Sequence, residues 1–354
     1  MDARSNAQTS IAALTGIDHP VIQGPFGGGN STPDLAALVS NRGGLGSYGA
    51  VDLTPDGIAA TAAAIRARTN RPFNLNLWVP RPGDGLAAPT AADLERAWPR
   101  FRPLFEDLGL PLPDLAPPPP IAFADQVEAV LAARPRVFSF VFGIPPAAVL
   151  AECRRRGILT LGAATSLAEA VALDAAGVDL ILATGAEAGG HRVAFLGRAE
   201  EQTLGTFALT QLVARRVSRP VIAAGGIADA AGVRAALALG AGAVQVGTAF
   251  LACRESGIAD DHRAALFAPG AADTVLTRAF TGRLARGLRN RLTETFSADP
   301  APFPVQGWFV ARLKQAALAA GRDDLRALYA GAVAPALRHR DADAVMDDLI
   351  AGTD

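Results

Sequence analysis

The chain has 354 residues, 50% hydrophobic and 19% charged, with a net charge of −1. That length suits one large domain plus a smaller accessory region, and the balanced charge argues against nucleic acid or an anionic membrane as the main partner. No apolar run reaches the roughly 18–20 residues that cross a bilayer. The opening MDARSNAQTS is polar with no signal-peptide core, so a cytoplasmic protein is expected.

Eight strand-like runs follow in chain order: Pro20–Gln23, Leu45–Ala50, Phe73–Val79, Val137–Gly143, Ile158–Ala164, Asp179–Gly185, Pro220–Gly226 and Ala243–Leu251. They read as near-continuous apolar segments, the pattern of parallel strands buried on both faces. Ser31-Thr32-Pro33-Asp34, Thr54-Pro55 and Thr165-Ser166 supply hydroxyl caps that open helices between them. The β-α order predicts an α/β fold, a (β/α)8 TIM barrel. Eight units match the barrel count better than an open doubly wound sheet.

Two segments break the repeat. The barrel is assigned to 1–79 and 123–276, and an accessory region to 80–122 and 277–354. Dense proline in 80–122, including the tetraproline Pro117–Pro120, predicts stiff extended loops in place of helix or sheet. The tail is helical by pattern. An insertion after a barrel strand lies on the face that carries barrel active sites, so both segments are expected to cover the ligand.

The loop after strand one reads IQGPFGGGNS, which does not match G-x-G-x-x-G. Gln23, Pro25 and Phe26 are candidates to line a flat ring, while Gly27–Gly29 equally form a plain turn. In strand three, FNLNLW places Asn74 and Asn76 on one face. Two amides aimed into a barrel need partners, and Asn76, nearer the mouth, suits a uracil-like edge. Strand six ends in TGAEAGGHR, where Gly189 and Gly190 let the loop approach a cofactor and His191 stands at the mouth, suited to proton transfer or anion binding.

Strands seven and eight, PVIAAGGI and AVQVGTAFL, stop at Gly225-Gly226 and at Gly247-Thr248, with Gln245 just before. Glycines there let the backbone approach a phosphate, and bare N–H groups and the following helix bind it. FMN is the expected ligand. In the tail, Arg278, Arg283, Arg286 and Asn290 lie in TRAFTGRLARGLRN. The last three would share one face if that run is a helix.

Some chemistries are excluded. The only lysine, Lys314, lies outside the strand-like runs, so no Schiff base forms on a barrel strand. His19, His191, His262 and His339 are scattered, and no metal is expected. Cys153 and Cys253 give no disulfide framework. A dehydrogenase of the inosine-monophosphate type needs a nucleophilic cysteine in a loop, whereas both of these read as buried small hydrophobes.

PVIQGPFGGGNSTPDLAALVSNRGGLGSYGA, FNLNLW, GAEAGGHR, IAAGGI and QVGTAFL, in this order, resemble the nitronate monooxygenase family, once called 2-nitropropane dioxygenases. The resemblance implies a (β/α)8 barrel with noncovalent FMN and a second domain from the two misfit segments. It implies flavin contacts at Asn76, Gly189, Gly226 and Gln245–Thr248. Two positions depart from it. Thr184 stands where the family carries a glutamine, and Val141, in SFVFGIP, stands where it carries the histidine that removes the α-proton of a neutral nitroalkane. The related flavin-dependent enoyl-acyl-carrier-protein reductases lack that histidine and rely on the one matching His191.

The expected function is therefore oxidation of alkyl nitronates with O2. The alternatives are an NAD(P)H-dependent reductase of quinones or enoyl thioesters, and a flavin-binding protein without catalysis. The expected partners are a small-molecule substrate, nitronate or NAD(P)H, and O2, with a homodimer left open.

Overall fold

The structure, a computed structural model, describes residues 11–80, 88–117 and 119–353. The polar first ten residues, 81–87 of the insertion and Pro118 of the tetraproline lie outside the described residues.

All eight expected barrel strands form. They are β1 (Val21–Gln23), β2 (Gly46–Gly49), β3 (Phe73–Trp78), β4 (Val137–Val141), β5 (Leu159–Ala164), β6 (Leu180–Thr184), β8 (Val221–Ala224) and β9 (Ala243–Val246). Between β6 and β8 lies a two-residue strand, β7 (Gly190–His191), and beyond β9 lie β10 (Thr274–Thr277) and β11 (Ala285–Leu288). The barrel order is β1-β9-β8-β6-β5-β4-β3-β2, with every pairing parallel. A parallel bridge between Ile22 and Leu45 brings the two ends together. This is the predicted (β/α)8 architecture.

Each strand serves two cores because its side chains alternate. Ile22, Leu45, Val137, Leu161, Leu182 and Ile222 fill the barrel interior. Leu75, Leu77, Phe138, Phe140, Ile181 and Ala183 face the surrounding helices. The caps act as read. Thr32 Oγ1 accepts the Leu35 N–H at 3.0 Å, Thr54 Oγ1 that of Gly57 at 3.2 Å and Ser166 Oγ that of Glu169 at 3.3 Å.

Three expectations are corrected. Strand eight ends at Val246, and Thr248–Leu251 is a short helix. The proline-rich insertion contains a helix, Ala91–Asp107, with Pro99 and Pro103 inside it. Two interior prolines cost roughly 3 kcal/mol each. Burying Leu94, Phe101, Leu104 and Phe105 contributes roughly 1.5–3 kcal/mol apiece, and a Thr90–Asp93 capping box adds to that. The packing term is the larger. Phe101 stacks on Phe309 of the helix Val305–Ala319, with centroids 4.2 Å apart at 16°.

The third correction is in the tail. TRAFTGRLARGLRN is not a helix: β10 and β11 form an antiparallel hairpin, and β11 pairs in turn with β7, Ala285 opposite His191. Arg286 lies in β11, Arg283 on the turn before it and Asn290 at the cap of the next helix, so the three do not share a helical face. The last helix, Ala342–Ile350, packs through Val345, Met346 and Leu349 on the barrel wall beside Val21, Leu35 and Val233.

Candidate active site

The mouth lies at the carboxyl ends of the barrel strands. β8 runs out into Gly225 and Gly226, with φ of +108° and +71°. Only glycine takes such angles without strain, and a Cβ on Gly225 would also stand 2.7 Å from Thr206 Oγ1. A Cβ on Gly247 would meet only the Phe26 ring, 4.0 Å away, so that backbone borders open space. The N–H groups of Gly226, Gly247 and Thr248 find no acceptor among the described residues. Gln245, in β9, is half-buried beside them and pairs across to Ile22 and Ala224.

A tail segment that sequence reading missed closes this edge. Gly331 donates its N–H to Thr248 Oγ1 at 2.9 Å, and Ala332 donates to the Glu187 carbonyl at 2.9 Å. Gly189 is needed for that approach, because a Cβ there would stand 2.5 Å from Gly331 N. Gly190 has φ +78° and open space beside it. Glu187, in the same loop, is structural: its carboxylate accepts the Thr206 N–H at 2.8 Å and the Thr206 hydroxyl at 3.0 Å. Buried Arg192 donates to the carbonyls of Gly185 at 2.6 Å and Gln202 at 2.9 Å, and to that of Thr184 at 3.3 Å. Desolvation pushes its guanidinium pKa down.

On the opposite wall the amide of Gln23 is committed to protein. Its Oε1 accepts the Ser47 N–H at 3.1 Å, and its Nε2 donates to the Gly24 carbonyl at 3.3 Å. Pro25 and Phe26 are half-buried, and Gly28 and Gly29 turn at positive φ, with Gly28 N–H donating to Asp52 at 2.9 Å. Asn74 and Asn76 share a partner the sequence reading did not name. Both donate from Nδ2 to Ser139 Oγ at 2.9 Å, and Asn74 Oδ1 accepts the Ser139 N–H at 3.1 Å.

The histidine side of the mouth is aromatic. The His191 ring lies edge-on to Trp78, centroids 4.9 Å apart, and 6.1 Å and 5.7 Å from Phe142 and Tyr329. Its Nε2 is 2.8 Å from Thr281 Oγ1. Burial, aided by the Arg283 charge, pushes its pKa down to about 3. Burial pushes the Tyr329 phenol up, so it too stays neutral. The Arg283 guanidinium lies over Phe142 and Phe303, 4.2 and 4.1 Å from their centroids. Phe142 holds φ at +68°. A cleft of about 340 Å³, lined by Arg278, Gly282, Arg283 and residues 300–303, opens beside it.

Val141 ends β4 opposite Trp78 and packs against the barrel interior, so β4 brings no base to the mouth. Arg278 pairs with Glu200 at 2.9 Å, Arg286 donates to the Ala186 carbonyl at 3.1 Å, and Asn290 caps the helix Arg291–Thr295. Cys153 and Cys253 are buried with raised pKa values, Cys153 up to about 11, which removes both as loop nucleophiles. Among the described residues, no helix is long and apolar enough to cross a membrane.

The family model for nitronate monooxygenase matches residues 8–351. A nitronate monooxygenase of Paraburkholderia phytofirmans is 42% identical over 344 residues, covering 93% of this chain and 90% of that protein. One from Pseudomonas aeruginosa is 41% identical over 345 residues, covering 95% and 97%. Among solved structures, a nitroalkane oxidase from Streptomyces ansochromogenes superposes with a TM-score of 0.89 at 36% identity, covering 97% of each chain. FabK from Thermotoga maritima superposes at 0.73 and 27% identity, covering 96% of this chain and 94% of its own. With a match along nearly its whole length, and with strand ends and a histidine loop arranged as above, the chain belongs to the nitronate monooxygenase family and is an oxidoreductase.

Proposed function

We propose that the flavin used by this family is FMN in this chain, and that the enzyme oxidises alkyl nitronates with O2 while neutral nitroalkanes are poor substrates. The phosphate is assigned to the glycine ends of β8 and β9. Three N–H groups without protein acceptors, those of Gly226, Gly247 and Thr248, suit an anion. Gln245, Gly225 and Thr184 line the same end, Asn76 faces the ring edge, and Gly189 and Gly190 give it room. Pro25 and Phe26 border the phosphate side, and Gln23 braces that wall. The accessory region, 80–122 and 277–354, is assigned to cover the substrate. When bound, the flavin supplies the electron-accepting centre that takes electrons from nitronate and passes them to O2.

One observation carries the substrate preference: no described base is placed for a carbon acid. Val141 ends β4, and His191, the histidine at the mouth, is hydrogen-bonded to Thr281 and, with its pKa held down at about 3, is a weak base. A neutral imidazole can bind an anionic nitronate as a hydrogen-bond donor, and a nitronate has already lost its proton. Arg283 adds positive charge at the same wall. Trp78, Phe142 and Tyr329 exclude water, which strengthens each of these interactions. The NAD(P)H-dependent reading is not favoured, since the relatives at 41–42% identity are nitronate monooxygenases while FabK stands at 27%.

Oxygen-electrode assays with 2-nitropropane and its nitronate test the proposal. Turnover of the nitronate with little of the neutral form is expected. Equal turnover of both would sink it.

A further inference from the structure

Thr281 lies on the turn between β10 and β11, and β11 brings it to the histidine by pairing with β7. Its Oγ1 accepts the Arg283 N–H at 3.3 Å and stands 2.8 Å from His191 Nε2. No described residue hydrogen-bonds His191 Nδ1. A hydroxyl has one proton and two lone pairs, and a neutral imidazole has one donor and one acceptor nitrogen. If Nε2–H donated to Thr281, both lone pairs would be filled and the hydroxyl proton would have no acceptor among the described residues. If the hydroxyl donates to Nε2, the Thr281 proton and both of its lone pairs are used, and the ring's one donor, Nδ1–H, is left to meet a ligand.

We infer that Thr281 is a positioning residue that holds His191 as the Nδ1–H tautomer, so that the ring meets its substrate as a hydrogen-bond donor and not as a base. The hydrogen bond made by one imidazole nitrogen decides the protonation of the other. An Nδ1–H group suits the negatively charged oxygen of a nitronate and cannot take a proton from carbon. Arg283, two residues along the same turn, opposes a second proton on the ring. Thus one hairpin from the C-terminal region sets orientation, tautomer and charge of the histidine. The kinetic consequence rests on the nitronate reading above, whereas the tautomer itself does not.

Nitrogen NMR of the holoenzyme, labelled at both histidine ring nitrogens, tests this, with the His191 signals identified by their loss in His191→Asn. A pyridine-like Nε2 and a pyrrole-like Nδ1 are expected. Thr281→Val should shift the ring toward the other tautomer and lower kcat/KM for ethylnitronate roughly tenfold, the worth of one hydrogen bond. Thr281→Ser should restore both. A pyrrole-like Nε2 in the unmodified enzyme, or an unchanged ring spectrum in folded Thr281→Val, overturns the inference. If Thr281→Val does not fold, the spectra of the unmodified enzyme and Thr281→Ser decide. Failure of ethylnitronate to reduce the flavin overturns the nitronate reading, and the spectra still report the tautomer.

Discussion

Gly331 and Thr248 stand 83 residues apart in the chain and are joined by a 2.9 Å hydrogen bond, backbone N–H to hydroxyl oxygen. The contact ties the C-terminal segment to the end of the last barrel strand. A Cβ on Gly331 would stand 2.9 Å from that hydroxyl and 3.1 Å from Gly189 N. Gly331→Ala is therefore expected to push the segment off the barrel and weaken flavin retention at least tenfold, measured by flavin release on dilution. Unchanged flavin affinity would separate this contact from the cofactor.

Gly226 holds φ at +71°, where a Cβ would touch nothing closer than 3.5 Å. The cost of Gly226→Ala is thus conformational, about 1–2 kcal/mol for a left-handed residue with a side chain. A lower Tm together with weaker flavin binding is expected. Loss of stability alone would mean that this backbone does not hold the phosphate.

Val141→His should give β4 the base it lacks. Turnover of neutral 2-nitropropane is expected to rise at least tenfold, within the range that a placed general base contributes, with nitronate turnover little changed. The side chain would start opposite Trp78, at the mouth.

Two desolvated imidazoles make stability sensitive to acid. Burial holds His191 down at about 3 and His262 at about 4, against an ordinary 6.5. Both rings stay neutral in the folded chain where the unfolded chain already takes up protons. Their contribution is complete above about pH 6.5 and is lost as pH falls toward those lowered values, at up to about 1.4 kcal/mol per pH unit for each ring. Urea unfolding at pH 7 and pH 5 should show the decline, and His191→Gln should lessen it. Nitronate kcat/KM should show no inflection from His191 between pH 5 and 8.

Pro99 is exposed inside the helix Ala91–Asp107. Pro99→Ala is expected to stabilise the protein by up to about 3 kcal/mol by restoring a helical hydrogen bond. Phe101→Ala removes the ring stacked on Phe309 and should cost about 3–5 kcal/mol. Thermal unfolding of both variants measures the two effects against each other.

Features set by near neighbours in the chain are legible in the sequence. Eight apolar runs form the barrel strands, and Thr32, Thr54 and Ser166 form caps, because these features depend on residues a few positions apart. Departures came where distant partners decide. The prolines of the insertion were overruled by aromatic packing against a helix 200 residues later in the chain. Arg283 and Arg286 are spaced as on a helix, yet β11 pairs with β10 in a hairpin and with the two residues of β7.

The sequence by itself determined the barrel, the glycine ends that suit a phosphate, and the presence of valine where a base was expected. The first two follow from residue type and short-range periodicity, and the third from the resemblance to the family. Tertiary structure alone decided what surrounds His191. Trp78, Thr281, Arg283 and Tyr329 come from separate parts of the chain, and the imidazole's charge depends on the desolvation and field that they create only once folded.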